Sequence, residues 1–291
     1  MHQYIKAIGF STIKTKREIK KIVQEVRDTF SHHELVSLEQ NIDFCEYRKE
    51  YGENIGISVY GETDEYEQFE CEYYIPYFRG TVVSSYGDII VDRRIDREEY
   101  VGTCEDVKVG VSLIFHLQNG IEYMREKQLG QLPKSSTSVM LSGMALSGMI
   151  LFPVQKNEEQ VKTRREESRN RMMLLSAAKD GDQAAIEILT LEDIDTYAQV
   201  SERLITEDVF SIVDTYFMPY GVECDQYSIL GEILKIHKSK NQITNEQLYM
   251  MTLDVNELEL DVCVPVNELL GEPQIGRRFK GNIWLQGYIN F

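Results

Sequence analysis

The amino-acid sequence predicts an α+β fold in three parts: a β-rich N-terminal domain with one amphipathic helix (residues 1–155), a helical connector (156–207) and a small C-terminal five-stranded β-barrel of the OB or SH3 type (208–291). Apolar and polar residues alternate in the first and last parts, which is typical of half-buried strands. The middle part carries charged residues and alanines in helical patterns. Residues 271–291, with the only Trp, indicate a turn and a closing strand.

The first elements of the N-terminal domain are expected to be a strand and a helix. Residues 4–10 predict the strand. Thr15 and Glu18 have the spacing of a capping box, in which two side chains satisfy free backbone N–H groups at a helix start. The apolar residues that follow share one helical face: Ile19, Ile22, Val23, Val26 and Phe30.

A β-hairpin is expected next. Its two arms alternate apolar and polar positions, and the apolar ones are Ile55, Ile57 and Val59, then Phe69, Cys71, Tyr73 and Ile75. The polar residues 61–64 predict the turn between the arms. Residues 82–93 and 107–111 predict further strands. Residues 113–127 either continue the second of these strands or form a helix.

A segment without charge lies between Lys134 and Lys156. A membrane-spanning helix needs about 20 predominantly apolar residues, whereas serines and glycines dilute this segment heavily. Gly143 and Gly148 interrupt the apolar run as turn or bulge residues do. We therefore expect a buried β-hairpin here and no membrane span.

The connector is expected to be helical. Residues 157–171 are dense in charge and predict an exposed helix, and residues 172–190 and 191–205 predict two more. Residues 177–182 are similar to the turn between the paired helices of ankyrin-type repeats. Such arrays need about three copies, and one is present, so a helical hairpin between two β-rich parts is expected.

The C-terminal part contains five expected strands. They cover residues 210–213, 227–236, 248–253, 258–264 and 279–289. In the fourth strand, leucines and valines alternate with Glu259, Asp261 and Cys263, which are expected on the opposite face. Five short strands in such a length are typical of a small closed or half-closed barrel.

The composition limits the classes of partner. The formal net charge is −17, which repels phosphate backbones, so a nucleic-acid partner is disfavoured. The five cysteines are odd in number and show no CxxC or other metal-ligand spacing, which indicates reduced thiols. The N-terminus shows no signal-peptide pattern, so we expect a cytoplasmic protein without a membrane partner.

Three blocks of the sequence carry a family resemblance. They are residues 109–115 (VGVSLIF), residues 216–225 (YFMPYGVECD), and the closing motifs GEP at 271–273, GRRFKG at 276–281 and WLQG at 284–287. In these blocks the chain resembles an uncharacterised domain-of-unknown-function family of full-length proteins from gut Clostridia. The resemblance covers essentially the whole chain and implies a bacterial cytoplasmic protein. It carries over no activity, ligand or site residue.

No sequence motif predicts a catalytic residue, a metal or a cofactor. Ser58 stands in a sequence that misses the G-x-S-x-G motif by one residue, and Gly143 and Gly148 lack the Lys of a phosphate-binding loop. No histidine has a second histidine four residues away. Surface or linker positions are therefore expected for all five: His2, His32, His33, His116 and His237.

The segment 216–225 has the strongest functional character, because loops on rigid scaffolds often carry function. Its candidate ligand-binding residues are Tyr216, Tyr220, Glu223 and Asp225. The favoured alternative is a structural corner in which a Pro and a Gly set the turn. Cys224 is not expected to be reactive, since carboxylates on both sides raise the pKa of a thiol.

A second candidate site is basic. Arg277, Arg278 and Lys280 form a compact positive patch in an acidic chain, and such a patch binds carboxylates, phosphates or a nucleic-acid strand. The favoured alternative is that these cations offset local acidic residues such as Glu272. An interaction surface is a third alternative.

Two functions from different classes follow. The favoured one is a non-catalytic binding or assembly protein that holds a protein partner, or a second copy of itself, through a tyrosine-rich sheet or barrel surface, since the chain contains 17 Tyr. The alternative is a small-ligand-binding protein or an enzyme with a site between the domains. The lack of a recognisable nucleophile–base pair favours the first. Single-stranded nucleic-acid binding through the barrel is a third possibility, disfavoured by the net charge.

Overall fold

The computed structural model describes residues 2–39, 42–94, 98–106, 109, 111–133, 138–154, 170–171, 173–178, 180–203, 205 and 208–291. These residues form a mixed α+β, strand-rich fold with one four-stranded and one ten-stranded sheet. The predicted α+β class is confirmed.

The chain begins with a 3-10 helix, Gln3–Ile8, so the strand expected at residues 4–10 is wrong. The buried residues of this segment are Tyr4, Ile5, Ala7 and Ile8. Tyr4 and Ala7 are three residues apart, and so are Ile5 and Ile8. This spacing fits a helical repeat and not the two-residue repeat of a strand. Gly9 ends the helix with a left-handed φ of 85°, and its N–H donates to the Lys6 carbonyl.

The amphipathic helix is confirmed as α1, Lys16–Asp28. Both halves of the capping box are present, because the Thr15 hydroxyl accepts from the Glu18 N–H and the Glu18 carboxylate accepts from the Thr15 N–H. Ile19, Ile22 and Val26 are buried. Phe30, expected on the same stripe, lies beyond the end of the helix and is 46% exposed.

The four-stranded sheet is antiparallel and has the order β1–β2–β3–β4. Its strands are β1 His32–Glu39, β2 Ile42–Gly52, β3 Ile55–Asp64 and β4 Phe69–Phe78. The expected hairpin is β3–β4, but residues 61–63 still pair with β4, so its turn lies at residues 65–68 and not at 61–64. The side chain of Lys49 bonds Glu25 of α1, which places α1 on one face of the sheet.

The next elements join the ten-stranded sheet. They are β5 Ile89–Arg93, β6 Tyr100–Glu105 and β7 Ser112–Leu117, followed by α2 Gly120–Leu129. The strand expected at 82–93 is therefore confined to its C-terminal part. Of the strand expected at 107–111, residues 107, 108 and 110 lie outside the described residues, and Val109 and Val111 belong to no strand. Residues 113–127 contain both expected alternatives, first strand and then helix.

The uncharged segment forms one long strand, β8 Ser138–Leu151, so the expected hairpin is wrong. Gly143 and Gly148 lie inside this strand. A Cβ at Gly143 would lie 2.8 Å from the Ile283 side chain, and one at Gly148 would lie 2.4 Å from the Phe279 ring. These glycines leave room for side chains of the neighbouring strand in the same sheet and do not turn the chain. No helix among the described residues is long and apolar enough to cross a membrane.

The connector contains the long helix α3, Gln183–Arg203. This helix is continuous, so the boundary expected at residue 191 is wrong. Residues 170, 171 and 173–178 are also helical, and Gly181, with φ 88°, lies in the turn before α3. The charged helix expected at 157–171 falls, except for its last two residues, outside the described residues.

Four of the five expected C-terminal strands are confirmed. They are β10 Gln226–Lys240, β11 Gln247–Val255, β12 Leu258–Pro265 and β14 Arg278–Asn290. Two shorter strands, β9 Tyr216–Pro219 and β13 Leu269–Leu270, and a 3-10 turn, Val266–Glu268, complete this region. The strand expected at 210–213 is wrong. It is a short helix, α4 Val209–Ile212, because the Asp208 carboxylate caps the Phe210 N–H.

The face of β12 that was expected to be polar is exposed only in part: Glu259 is exposed as expected, whereas Asp261 and Cys263 are buried. Cys263 is fully buried, and Asp261 is buried as an acceptor for the backbone and hydroxyl of Thr81 and for the hydroxyl of Thr252. An alternating pattern therefore does not prove an exposed face when the polar residue finds internal donors.

The closing strand β14 ties the two ends of the chain together. It pairs with β10 on one side and with β8 along almost its whole length on the other, and it also pairs with β7. Since β8 also pairs with β12, the pairings β8–β12–β11–β10–β14–β8 return to their starting strand. Strands from before residue 156 and after residue 207 thus share one sheet. The division at these residues stays a prediction.

Candidate functional site

A cavity of about 320 Å³ lies between the four-stranded sheet and strands β7 and β14. Small-molecule sites begin at about this size. Residues of β1 to β4 line one side, and His116, Gln118 and Tyr288 line the other. We call this space the inter-sheet cavity.

Strand register brings three polar side chains and one isoleucine together on the first wall. Arg48, Ser58 and Ile75 are direct cross-strand neighbours on β2, β3 and β4, and His32 of β1 pairs with Arg48. Cross-strand partners project to the same face of a sheet. All four line the inter-sheet cavity.

A glycine opens the wall at the next row. Gly56 stands between Glu50 and Tyr77 in the register. A Cβ at Gly56 would lie 2.4 Å from the Tyr77 hydroxyl, so the phenol occupies the space that any other residue would fill. The Tyr77 hydroxyl is buried and has no hydrogen-bond partner among the described residues. Burial raises the pKa of this phenol, which therefore stays protonated.

Arg48 is held by a buried carboxylate. Glu46 is 1% exposed and accepts from Arg48 Nη2 at 2.8 Å, from Arg48 Nε at 3.1 Å and from the Tyr60 hydroxyl at 3.0 Å. Burial alone would lower the pKa of Arg48, but the Glu46 carboxylate outweighs it, so the pKa is raised. The guanidinium is thus fixed and charged at the cavity wall, over the Tyr77 ring.

The second wall contains a histidine backed by a glutamate. His116 Nδ1 lies 3.2 Å from Glu99 Oε1, and the two residues are 3% and 5% exposed. A carboxylate on Nδ1 favours the tautomer in which Nε2 is the free acceptor. No described residue bonds Nε2, and His116 lines the cavity. The expectation of a surface or linker position for His116 is wrong. His32, His33 and His237 are exposed and His2 is half-buried.

A charged network continues behind His116. Arg94 contacts Glu99 at 3.4 Å and Asp225 at 3.1 Å, and Asp225 also accepts from the Trp284 indole N–H at 2.9 Å. The Trp284 ring lies 5.6 Å from the His116 ring. Asp225, a sequence-predicted site residue, therefore reaches the cavity through other side chains and does not line it.

Two buried amides hold the sheets at a fixed separation. Gln118 donates to the Phe78 carbonyl and to Gln286 Oε1, both at 2.8 Å. Gln286 also accepts from the Phe78 N–H and donates to the Pro76 carbonyl. These bonds fasten the end of β4 to β14 beside the cavity, so its width does not depend on apolar packing alone.

The other residues predicted in segment 216–225 do not converge. Tyr216 contacts the Ser228 hydroxyl at 3.4 Å, whereas Tyr220, Glu223 and Cys224 are exposed. The Tyr220 N–H donates to the Gln226 carbonyl, which closes a turn around Gly221 at φ 74°. This geometry has the features of the structural corner that the sequence also allowed.

The two predicted arginines have different environments. Arg278 is 5% exposed, and its guanidinium donates to the carbonyls of Phe152, Phe210, Val213 and Asp214. It thus clamps the end of β8 to the segment around α4. Arg277 is half-buried, lies over the Phe152 ring and donates to the Glu272 carbonyl.

Arg278→Ala is expected to destabilise the fold by at least about 3 kcal/mol, because four carbonyls lose a charged donor and hydrogen bonds to charged groups contribute roughly 1.5 to 3 kcal/mol each. Arg277→Ala, the matched control, is expected to cost less than about 1 kcal/mol. Urea unfolding followed by the fluorescence of Trp284 measures both. Equal stability of the two variants would contradict the clamp.

The cavity residues leave only a weak signal in the sequence. Glu46, Arg48 and Glu50 stand two residues apart, which indicates a strand with one polar face, but Lys49 between them is also charged, so the alternation is incomplete. The partners of that face come from positions far along the chain, and no motif joins them. Among the described residues, no three His, Cys, Asp or Glu side chains are grouped to hold a metal.

A family model described as "Domain of unknown function, E. rectale Gene description (DUF3881)" matches residues 5–287. This confirms the resemblance to an uncharacterised family. No curated protein and no solved structure matches the chain.

Proposed function

The chain belongs to the DUF3881 family, whose description states no activity, and we propose from its geometry that it binds a small polar molecule in the inter-sheet cavity. The observation that carries the proposal is the Tyr77 hydroxyl, buried at the cavity wall without a partner among the described residues. A buried hydroxyl without a hydrogen bond is costly, and a ligand acceptor in the cavity would satisfy it.

The chemistry of the walls supports the same proposal. Arg48 and His116 are each fixed by a buried carboxylate, so neither has to be ordered when a ligand binds. Pre-organised polar groups on sheet strands give orientation and specificity to small-molecule sites. The His116–Glu99 pair also has the arrangement of a base and its orienting carboxylate, which makes an enzyme one form of this proposal.

Partner binding through a tyrosine-rich surface has less support. On β4, Tyr73 stacks on Tyr60 and donates to the Glu98 carbonyl, Tyr74 accepts from the His2 N–H, and Tyr77 lines the cavity. These tyrosines serve contacts inside the protein. A protein partner, a homodimer and a cytoplasmic location remain predictions.

We also propose that the closed circuit of strand pairings is the five-stranded barrel that the sequence predicts. Its fifth strand is then β8, from the N-terminal half, because the strand expected at residues 210–213 is replaced by the helix Val209–Ile212. The OB or SH3 type remains part of this proposal.

Filling the cavity tests the proposed function. Ser58→Leu places a larger side chain at a position that is 3% exposed and lines the cavity, and we expect at least a tenfold loss of ligand binding with the fold retained. Ser37→Leu, at an exposed serine of β1, is the control. The measurement is saturation-transfer NMR with a library of small polar compounds, with circular dichroism as the check on folding. Binding that is unchanged in Ser58→Leu would refute the cavity as the site.

A further inference from the structure

Arg79 occupies an unusual position beside the inter-sheet cavity. It follows β4 directly, and its backbone N–H donates to the Asn54 carbonyl at 2.8 Å. Its half-buried side chain lines the cavity. The backbone bond fixes where this side chain starts, so the guanidinium is delivered to the cavity by regular sheet structure.

The guanidinium of Arg79 has an aromatic contact but no anionic partner among the residues that the structure describes. Its central carbon lies 4.2 Å from the centroid of the Tyr288 ring. Among the described residues, none forms a hydrogen bond or an ion pair with this side chain. By contrast, Arg48 pairs with Glu46, and Arg94 with Glu99 and Asp225. In a chain of net charge −17, a half-buried arginine that has no carboxylate partner among the described residues requires an explanation.

The aromatic contact leaves the donors of Arg79 available. A cation over a ring uses the face of the guanidinium, while its five N–H groups point outward in the plane and match a carboxylate or phosphate. The Tyr288 hydroxyl donates to Glu122 at 3.1 Å, which anchors the ring. Burial, and next to it Glu122, raise the pKa of Tyr288, so the ring stays a neutral phenol.

A second donor without a partner among the described residues belongs to Tyr77, which lines the same cavity. The unpartnered Tyr77 hydroxyl is protonated and buried, and the fixed guanidinium of Arg48 lies over its ring. Glu50 also lines the cavity, but it is exposed, so solvent screens its charge more than that of the half-buried Arg79. The donors that lack partners therefore favour an acceptor-rich, negatively charged group.

We propose that the ligand of the inter-sheet cavity is a small organic anion whose carboxylate or phosphate group is bound by Arg79 and the Tyr77 hydroxyl. This rests on the proposed function and specifies its ligand class. Carboxylate and phosphate share the recognising chemistry, a planar or tetrahedral set of anionic oxygens.

Three probes of similar shape separate charge from cavity filling: benzoate, phenyl phosphate and the neutral benzamide. Saturation-transfer NMR on the full chain measures the dissociation constant of each. We expect at least one anion to bind the wild type more tightly than benzamide, and Arg79→Gln to weaken that anion roughly 10- to 100-fold while leaving benzamide unchanged. The tighter of the two anions identifies carboxylate or phosphate as the preferred group.

Arg277→Gln is the matched control, because Arg277 is also half-buried over an aromatic ring but does not line the cavity. Loss of anion binding in Arg277→Gln, with Arg79→Gln unaffected, would move the anion site to the basic patch and overturn the proposal. Equal binding of benzamide and the anions, abolished by Ser58→Leu but not by Arg79→Gln, would overturn the anion class and keep the cavity as the site. No binding of any probe would overturn both proposals.

Discussion

Residues 208–291 expressed alone are expected not to fold. The closing strand β14 pairs with β8 from Arg278↔Leu151 to Asn290↔Ser138, and β12 pairs with β8 on its other side. Without β8 the edges of both strands are open, and the buried side chains of Ile283 and Leu285 lose the strand beside them. A sheet with two unpaired inner edges aggregates or stays unfolded.

The control for this experiment is a second shortened chain, which keeps β8 and lacks only the connector. The Arg278 guanidinium donates to the carbonyls of both Phe152 and Phe210. The chain segments that precede and follow the connector therefore lie close together. Residues 155–207 can therefore be replaced by a short Gly-Ser linker, and this shortened chain is expected to fold. Circular dichroism and thermal melting compare the two chains. Cooperative unfolding of 208–291 alone would instead support the predicted division into three units.

Local structure was predicted correctly where the interacting residues lie close together in the sequence. The capping box of Thr15 and Glu18 marks α1, because both partners lie within one helical turn. The alternation of apolar and polar residues in β12 identified that strand in the same way. Gly143 and Gly148 led to the wrong prediction of a hairpin. Their role depends on Ile283 and Phe279, which lie on a neighbouring strand that is distant in the sequence. No window of sequence around residue 143 contains that information.

The candidate site was less predictable for the same reason. Arg79, His116 and Tyr288 come from three separate parts of the chain and meet only through strand pairing. For Arg278 the sequence predicted a ligand-binding role, whereas the structure shows its side chain bonded within the protein. Its charge and its aromatic neighbour indicate a binding site in the sequence, but in the structure four backbone carbonyls occupy its donors.

Glu46→Ala is expected to destabilise the protein by about 3 to 5 kcal/mol, the cost of breaking a buried ion pair by removing one partner. The loss leaves the Arg48 guanidinium and the Tyr60 hydroxyl without their acceptor at a site where Glu46 is 1% exposed. Urea unfolding monitored by Trp284 fluorescence gives the free energy of unfolding. A change below about 1 kcal/mol would show that the pair is solvated in solution.

The double variant Glu46→Met with Arg48→Met separates stability from function. Removing both charges leaves no buried ion unpaired, so this variant is expected to recover much of the stability lost in Glu46→Ala. If the Glu46–Arg48 ion pair only stabilised the fold, the double variant would recover ligand binding together with stability, relative to Glu46→Ala. Because Arg48 is a fixed cation on the cavity wall, we expect binding of the anionic probes to remain at least tenfold weaker although the fold is restored. A double variant that regains both properties would exclude Arg48 from the site and leave Arg79 and Tyr77 as its determinants.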